Sequence, residues 1–135
     1  MTDEIKKITG ILEKWVNFAY LFGSRVKGTA DQRSDWDIAA WFSQHPDNLP
    51  DWTVFQLEAE ISAAIGSETQ IIPLNNLDAP VLAFEIISSG LLILEKNPDA
   101  RILYETTVLR RYHDWQYFLN RHMALDKNWS SCKVG

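Results

Sequence analysis

Two apolar runs decide what this chain can fold into. Residues 16–22, VNFAYLF, and residues 36–42, WDIAAWF, are dense in aromatic and β-branched side chains. Each is long enough for a strand and too short for a helix, so each reads as a buried β-strand. The first ends in Gly23-Ser24; the second starts in Asp35-Trp36-Asp37. The polar segment between them, residues 23–34, reads as a loop opening on a helical turn.

The flanks supply helices. Residues 3–15 carry Ile5, Ile8, Ile11, Leu12 and Trp15 at helical spacing, and residues 52–65 carry Val54, Leu57, Ile61 and Ile65 on one stripe before Gly66. A third strand spans 68–75, with Pro73 suiting an edge or a strand end. A short helix spans 79–90, with Pro80 in its first turn and Gly90 at its end. Residues 91–96 read as a fourth strand and 98–122 as the longest helix. The order α-β-β-α-β-α-β-α predicts an α+β fold: a mixed sheet of about four strands with helices on one face. Residues 1–122 form the expected domain, and 123–135 the expected flexible tail.

The totals narrow the function classes. A chain of 135 residues is one domain's worth. Cys132 is its only cysteine, which excludes a disulfide framework and a cysteine-based zinc site. His45, His113 and His122 show no metal-ligand spacing. The net charge of −5 speaks against a grip on long nucleic acid. The charged N-terminus and the lack of a membrane-length apolar run predict a cytoplasmic protein. Residues 109–122, LRRYHDWQYFLNRH, are the expected partner surface, being rich in aromatic side chains.

The chemistry lies around the first two strands. Asp35 and Asp37 are separated by one residue, so on a strand they point to the same side. Two adjacent carboxylates repel, and keeping both ionised needs a counter-charge. A hard dication such as Mg²⁺ supplies it, binding carboxylate oxygens and substrate phosphates together. Gly23 and Ser24 offer close backbone approach, N–H groups and a hydroxyl to an anion. Arg25 and Lys27 follow and suit phosphate oxygens. The picture is a triphosphate on the Gly-Ser turn, joined through Mg²⁺ to Asp35 and Asp37.

Gly23-Ser24, ten residues, then Asp35-Trp36-Asp37 resembles the G-S-x10-D-x-D signature of the DNA polymerase β-like nucleotidyltransferases, and most closely their minimal (MNT) members. Residues 71–95, IIPLNNLDAPVLAFEIISSGLLILE, resemble the next family segment, so the likeness covers roughly residues 10 to 105. It implies the polymerase β-like palm fold, ATP as substrate and Mg²⁺ as cofactor. It also implies a role for this chain: antitoxin to a HEPN-domain RNase toxin, transferring AMP to a tyrosine hydroxyl of that partner. One position departs. The family usually carries a third carboxylate on the strand after the middle helix, and Gln70 stands there. Glu68, two residues earlier with the same strand parity, is then the expected third metal ligand. Two alternatives remain open: a small-molecule nucleotidyltransferase of the aminoglycoside-modifying kind, and a degenerate domain that neutralises the toxin by binding alone.

Overall fold

The computed structural model describes residues 2–27 and 35–134; the side chains of Arg25, Lys27 and residues 124–134 lie outside the description. In chain order the elements are α1 (Thr2–Leu12), β1 (Val16–Phe22), α2 (Ser24–Lys27), β2 (Trp36–Phe42), α3 (Thr53–Ile65), β3 (Thr69–Pro73), α4 (Pro80–Ser89), β4 (Leu91–Glu95) and α5 (Pro98–Val134). They build one four-stranded sheet in the order β3-β2-β1-β4. β1 pairs antiparallel with both β2 and β4, while β2 and β3 run parallel. The parallel pair is forced by α3, which carries the chain back across the sheet between them. The α+β class and the mixed four-stranded sheet agree with the sequence reading.

The placement of the helices corrects it. Alternate residues of β2, namely Trp36, Ile38, Ala40 and Phe42, pack with Ile8 and Leu12 of α1 and Leu57 and Ile61 of α3. Ala39 and the partly buried Trp41 pack on the other face with Phe18, Tyr20, Ile86 of α4 and Tyr104 of α5. Helices therefore cover both faces, not one. The reason is visible in β1 and β2: both are apolar at nearly every position, and a strand buried on both sides cannot alternate with polar residues. Only Asp37 and Asn17 interrupt the two runs.

Side chains complete the sheet where its ladder ends. β3 is an edge strand, and its outward N–H groups are taken by α3. Thr69 N–H donates to Ser62 Oγ at 3.1 Å, and Ile71 N–H donates to Glu58 Oε2 at 2.9 Å. These bonds close an edge that would otherwise template association. Pro73 ends the strand, and Asn75 takes over pairing with β2. Phe42 N–H donates to Asn75 Oδ1 at 2.8 Å, and Asn75 Nδ2 donates to the Phe42 carbonyl at 3.2 Å. The amide thus stands in for one residue of a strand. Asn75→Ala leaves both Phe42 groups unpaired, and is expected to cost about 1–3 kcal/mol, measured by urea unfolding.

α5 is fixed to the sheet by ionised groups as well as apolar ones. Tyr20 O–H donates to Glu105 Oε2, and Arg101 bridges Glu95 of β4 and Glu105. Burial, then the bond to Glu105, pushes the Tyr20 hydroxyl well above the usual tyrosine range, so it stays a donor. The helix continues to Val134, past the end expected near residue 122. No proline or glycine stands between Pro98 and Gly135 to stop it. Among the described residues no helix is long and apolar enough to cross a membrane.

Candidate active site

The end of β1 and the start of β2 meet because the two strands are antiparallel. Phe22 pairs with Asp37, which places Gly23 beside the second aspartate. Gly23 has φ 83°, a left-handed backbone that side chains resist. There is a second reason for glycine. A Cβ at this position would overlap the Asp37 carboxylate at Oδ2. The turn and the acid are thus in van der Waals contact.

Asp37 is half-buried and lies on the α4–α5 side of the sheet, opposite to Trp36 and Ile38. Asp35 precedes β2 and is exposed. Burial, and then the neighbouring Asp35 charge, push the Asp37 carboxyl above its usual range. Such a pair disfavours its own ionised form until a cation joins it. Two hard oxygen donors, one partly desolvated, therefore fit a divalent metal such as Mg²⁺.

The remaining expected residues fall unevenly. Ser24 opens α2 and is partly buried; Val26, within the same turn, packs against the core and holds that turn in place. Arg25 and Lys27 follow Ser24 on α2, but their side chains lie outside the described residues. Gln70 is the direct neighbour of Asp37 across the parallel β2–β3 pair. Glu68 lies just before β3, exposed, with its carbonyl accepting the Trp36 N–H at 2.9 Å. Among the described residues no three His, Cys, Asp or Glu side chains gather closely enough to hold a metal. Glu68 is not brought into a cluster with Asp35 and Asp37 here, and the position beside Asp37 belongs to Gln70.

α4 adds residues that sequence spacing does not reveal. Glu85 and Ser89 line a small crevice with Phe22, Gly23 and Val26. They lie more than sixty positions from the Gly-Ser turn, and only the packing of α4 on β1 brings them there. Of the three histidines, His45 is satisfied locally, its Nδ1 accepting the Asp47 N–H at 3.1 Å.

Comparison with known proteins identifies the family and the fold. The family model described as "Polymerase beta, Nucleotidyltransferase" matches residues 6–99. The protein adenylyltransferase MntA of Shewanella oneidensis is 27% identical over 94 residues, which is 70% of this chain and 65% of that relative. The match thus spans slightly less than two thirds of the relative's length. A crystal structure of a toxin–antitoxin with AMP-PNP superposes with a TM-score of 0.74 at 22% identity, covering 91% of this chain and 96% of that one. A tri-AMPylated HEPN toxin of Shewanella oneidensis in complex with its MNT antitoxin gives a TM-score of 0.70 at 19% identity, covering 93% and 96%. The G-S…D-x-D arrangement falls inside the matched region, and the chain belongs to the polymerase β nucleotidyltransferase family.

Proposed function

We propose that this chain is an antitoxin that transfers AMP from ATP to a tyrosine hydroxyl of a partner HEPN RNase and so silences it. The observation that carries the reading is the packing of Gly23 against Asp37, with Asp35 beside it. This proximity supports reading the turn as anion-accepting and the acid pair as cation-accepting. The adenylyltransferase relative, the bound AMP-PNP and the AMPylated toxin of the similar structures support both substrate and acceptor.

The reaction balances simply. The tyrosine oxygen attacks the α-phosphorus, a new O–P bond forms, and the bond to pyrophosphate breaks. The tyrosine proton passes to solvent. When bound, Mg²⁺ supplies neutralisation of phosphate charge. Asp35 and Asp37 would hold it. Gly23 and Ser24 would present N–H and hydroxyl donors to the phosphates, with Arg25 and Lys27 adding charge. Positioning supplies most of the rate in such transfers.

Gln70 bears on the proton. Its carboxamide sits beside Asp37 and cannot accept a proton as a carboxylate does. Gln70→Asp is therefore expected to raise the transfer rate, by about tenfold or more if it serves as a general base, read from initial rates of AMP incorporation. The same residue favours a second reading, neutralisation by binding alone. Intact-mass measurement decides between the two. The chain, Mg-ATP and a HEPN RNase partner are incubated together. Toxin that gains AMP on tyrosine and loses RNase activity supports transfer. A tight complex with silenced RNase and unchanged mass supports binding alone.

A further inference from the structure

A cavity of about 300 Å³ lies between β2, α4 and α5. It is not part of the acid site. Trp41, on its floor, is four residues along β2 from Asp37, or about 13 Å. Between them Ala39 is fully buried, in one cluster with Ile86 of α4. The walls are mostly apolar, with Leu74, Pro80, Ala83 and Val108 among them. Two of the polar groups that line it have donors to offer. The Tyr104 hydroxyl makes no hydrogen bond among the described residues, and burial pushes it up to about 12, so it keeps its proton. Arg111 lines the cavity and spends one N–H on the exposed Asp78, at 2.9 Å.

The α5 side of this cavity does not stop at its mouth. Ala100, Tyr104, Thr107 and Arg111 line it and are spaced four, three and four apart. The same spacing continues through Asp114, Phe118 and Arg121, which puts all of them on one helix face. From Ala100 to Arg121 this face is about 32 Å long, far more than a small molecule covers. Its free half is exposed: Phe118 is 59% accessible and its neighbour Tyr117 69%, while Leu103 at the cavity is 67%. Apolar side chains so displayed mark protein contacts. Arg110 and Arg121 form no ion pair among the described residues. Arg111 is paired with Asp78, and the unpaired Arg110 and Arg121 share the strip with Asp114, in a chain of net charge −5.

We propose that cavity and strip form one docking groove for an acidic amphipathic helix of the partner protein, whose aromatic or branched aliphatic side chain fills the cavity. The inference rests on the antitoxin reading above and names how the toxin is held. The length of the strip favours a helix, and its two arginines outside ion pairs, Arg110 and Arg121, favour carboxylates beside the anchor.

Isothermal titration of the full chain with the HEPN protein tests it. Thr107→Trp fills the cavity; Phe118→Ser with Arg121→Glu strips the free half, beyond the packed core. Each is expected to weaken toxin binding at least about tenfold, while Mg-ATP affinity and melting temperature stay unchanged. Toxin binding that is unaffected by both variants, or weakened by only one, overturns the single groove and leaves the antitoxin reading standing. A wild-type chain that binds no toxin overturns the antitoxin reading and this inference with it. A dimer of the chain alone that dissociates on Phe118→Ser gives the groove to a second copy and overturns the inference too.

Discussion

Asp37→Asn is expected to abolish AMP transfer, by at least about a thousandfold, while making the fold more stable. The two effects share one cause. In the wild type the carboxyl is partly desolvated and faces the Asp35 charge, and both push it above its usual range. The folded state therefore binds this proton more tightly than the unfolded chain. Stability from that group is present below the unfolded value, about 4, and is lost as pH rises through the folded one. The asparagine variant carries no such penalty. Its melting temperature should exceed that of the wild type at neutral pH, and the gap should close in acid. Addition of Mg²⁺ should narrow the gap by stabilising only the wild type. Thermal melts at several pH values, with and without Mg²⁺, read all of this beside the transfer assay. A variant less stable than the wild type at neutral pH would argue against a strained acid pair.

Gly23→Ala should come next in effect, although alanine adds a single methyl group. The residue has φ 83°, and forcing a Cβ into that conformation costs about 1–2 kcal/mol. The methyl also overlaps Asp37 Oδ2, so the carboxylate must turn away or the turn must open. A displacement on the order of 1 Å at such a site costs about a hundredfold in rate. The loss should appear in the rate constant for transfer with the fold preserved, as measured by single-turnover kinetics and circular dichroism. Ser24→Ala removes only a hydroxyl donor and should cost less.

Residues that act through near neighbours in the chain are legible in the sequence alone. The D-x-D pair is visible from its spacing, although only Asp37 lies within β2, with Asp35 just before it. The Gly-Ser turn declares itself because a glycine ends an apolar run. The two strands, the α3 helix ending at Gly66 and the Pro80 start of α4 follow from local pattern in the same way. Register does not. Whether Gln70 or Glu68 stands beside Asp37 depends on how β3 slides along β2, and only the pairing of Asp37 with Gln70 answers it. The second covered face is hidden for a related reason. Apolar positions in β1 and β2 show that both sides are buried, but not which helices reach the second side. Asn75 falls inside the quoted segment 71–95, yet its role as a stand-in for strand pairing needs the end of β3 at Pro73 to be seen. The aromatic stripe of α5 is visible in the sequence; the cavity at its base is made by three elements distant in the chain.

Every step of the proposed reaction requires that Asp35, Asp37 and the Gly23–Ser24 turn hold a nucleotide with its α-phosphorus as the centre attacked. Parallel reactions with ATP labelled at the α- or the γ-phosphate, in the presence of Mg²⁺ and the HEPN protein, separate this from any other outcome. Label should reach the toxin from α-labelled ATP alone, the γ-label leaving as pyrophosphate, and Asp37→Asn should transfer none. Toxin labelled from the γ-phosphate, or α-label incorporated undiminished by Asp37→Asn, would refute that placement of the nucleotide.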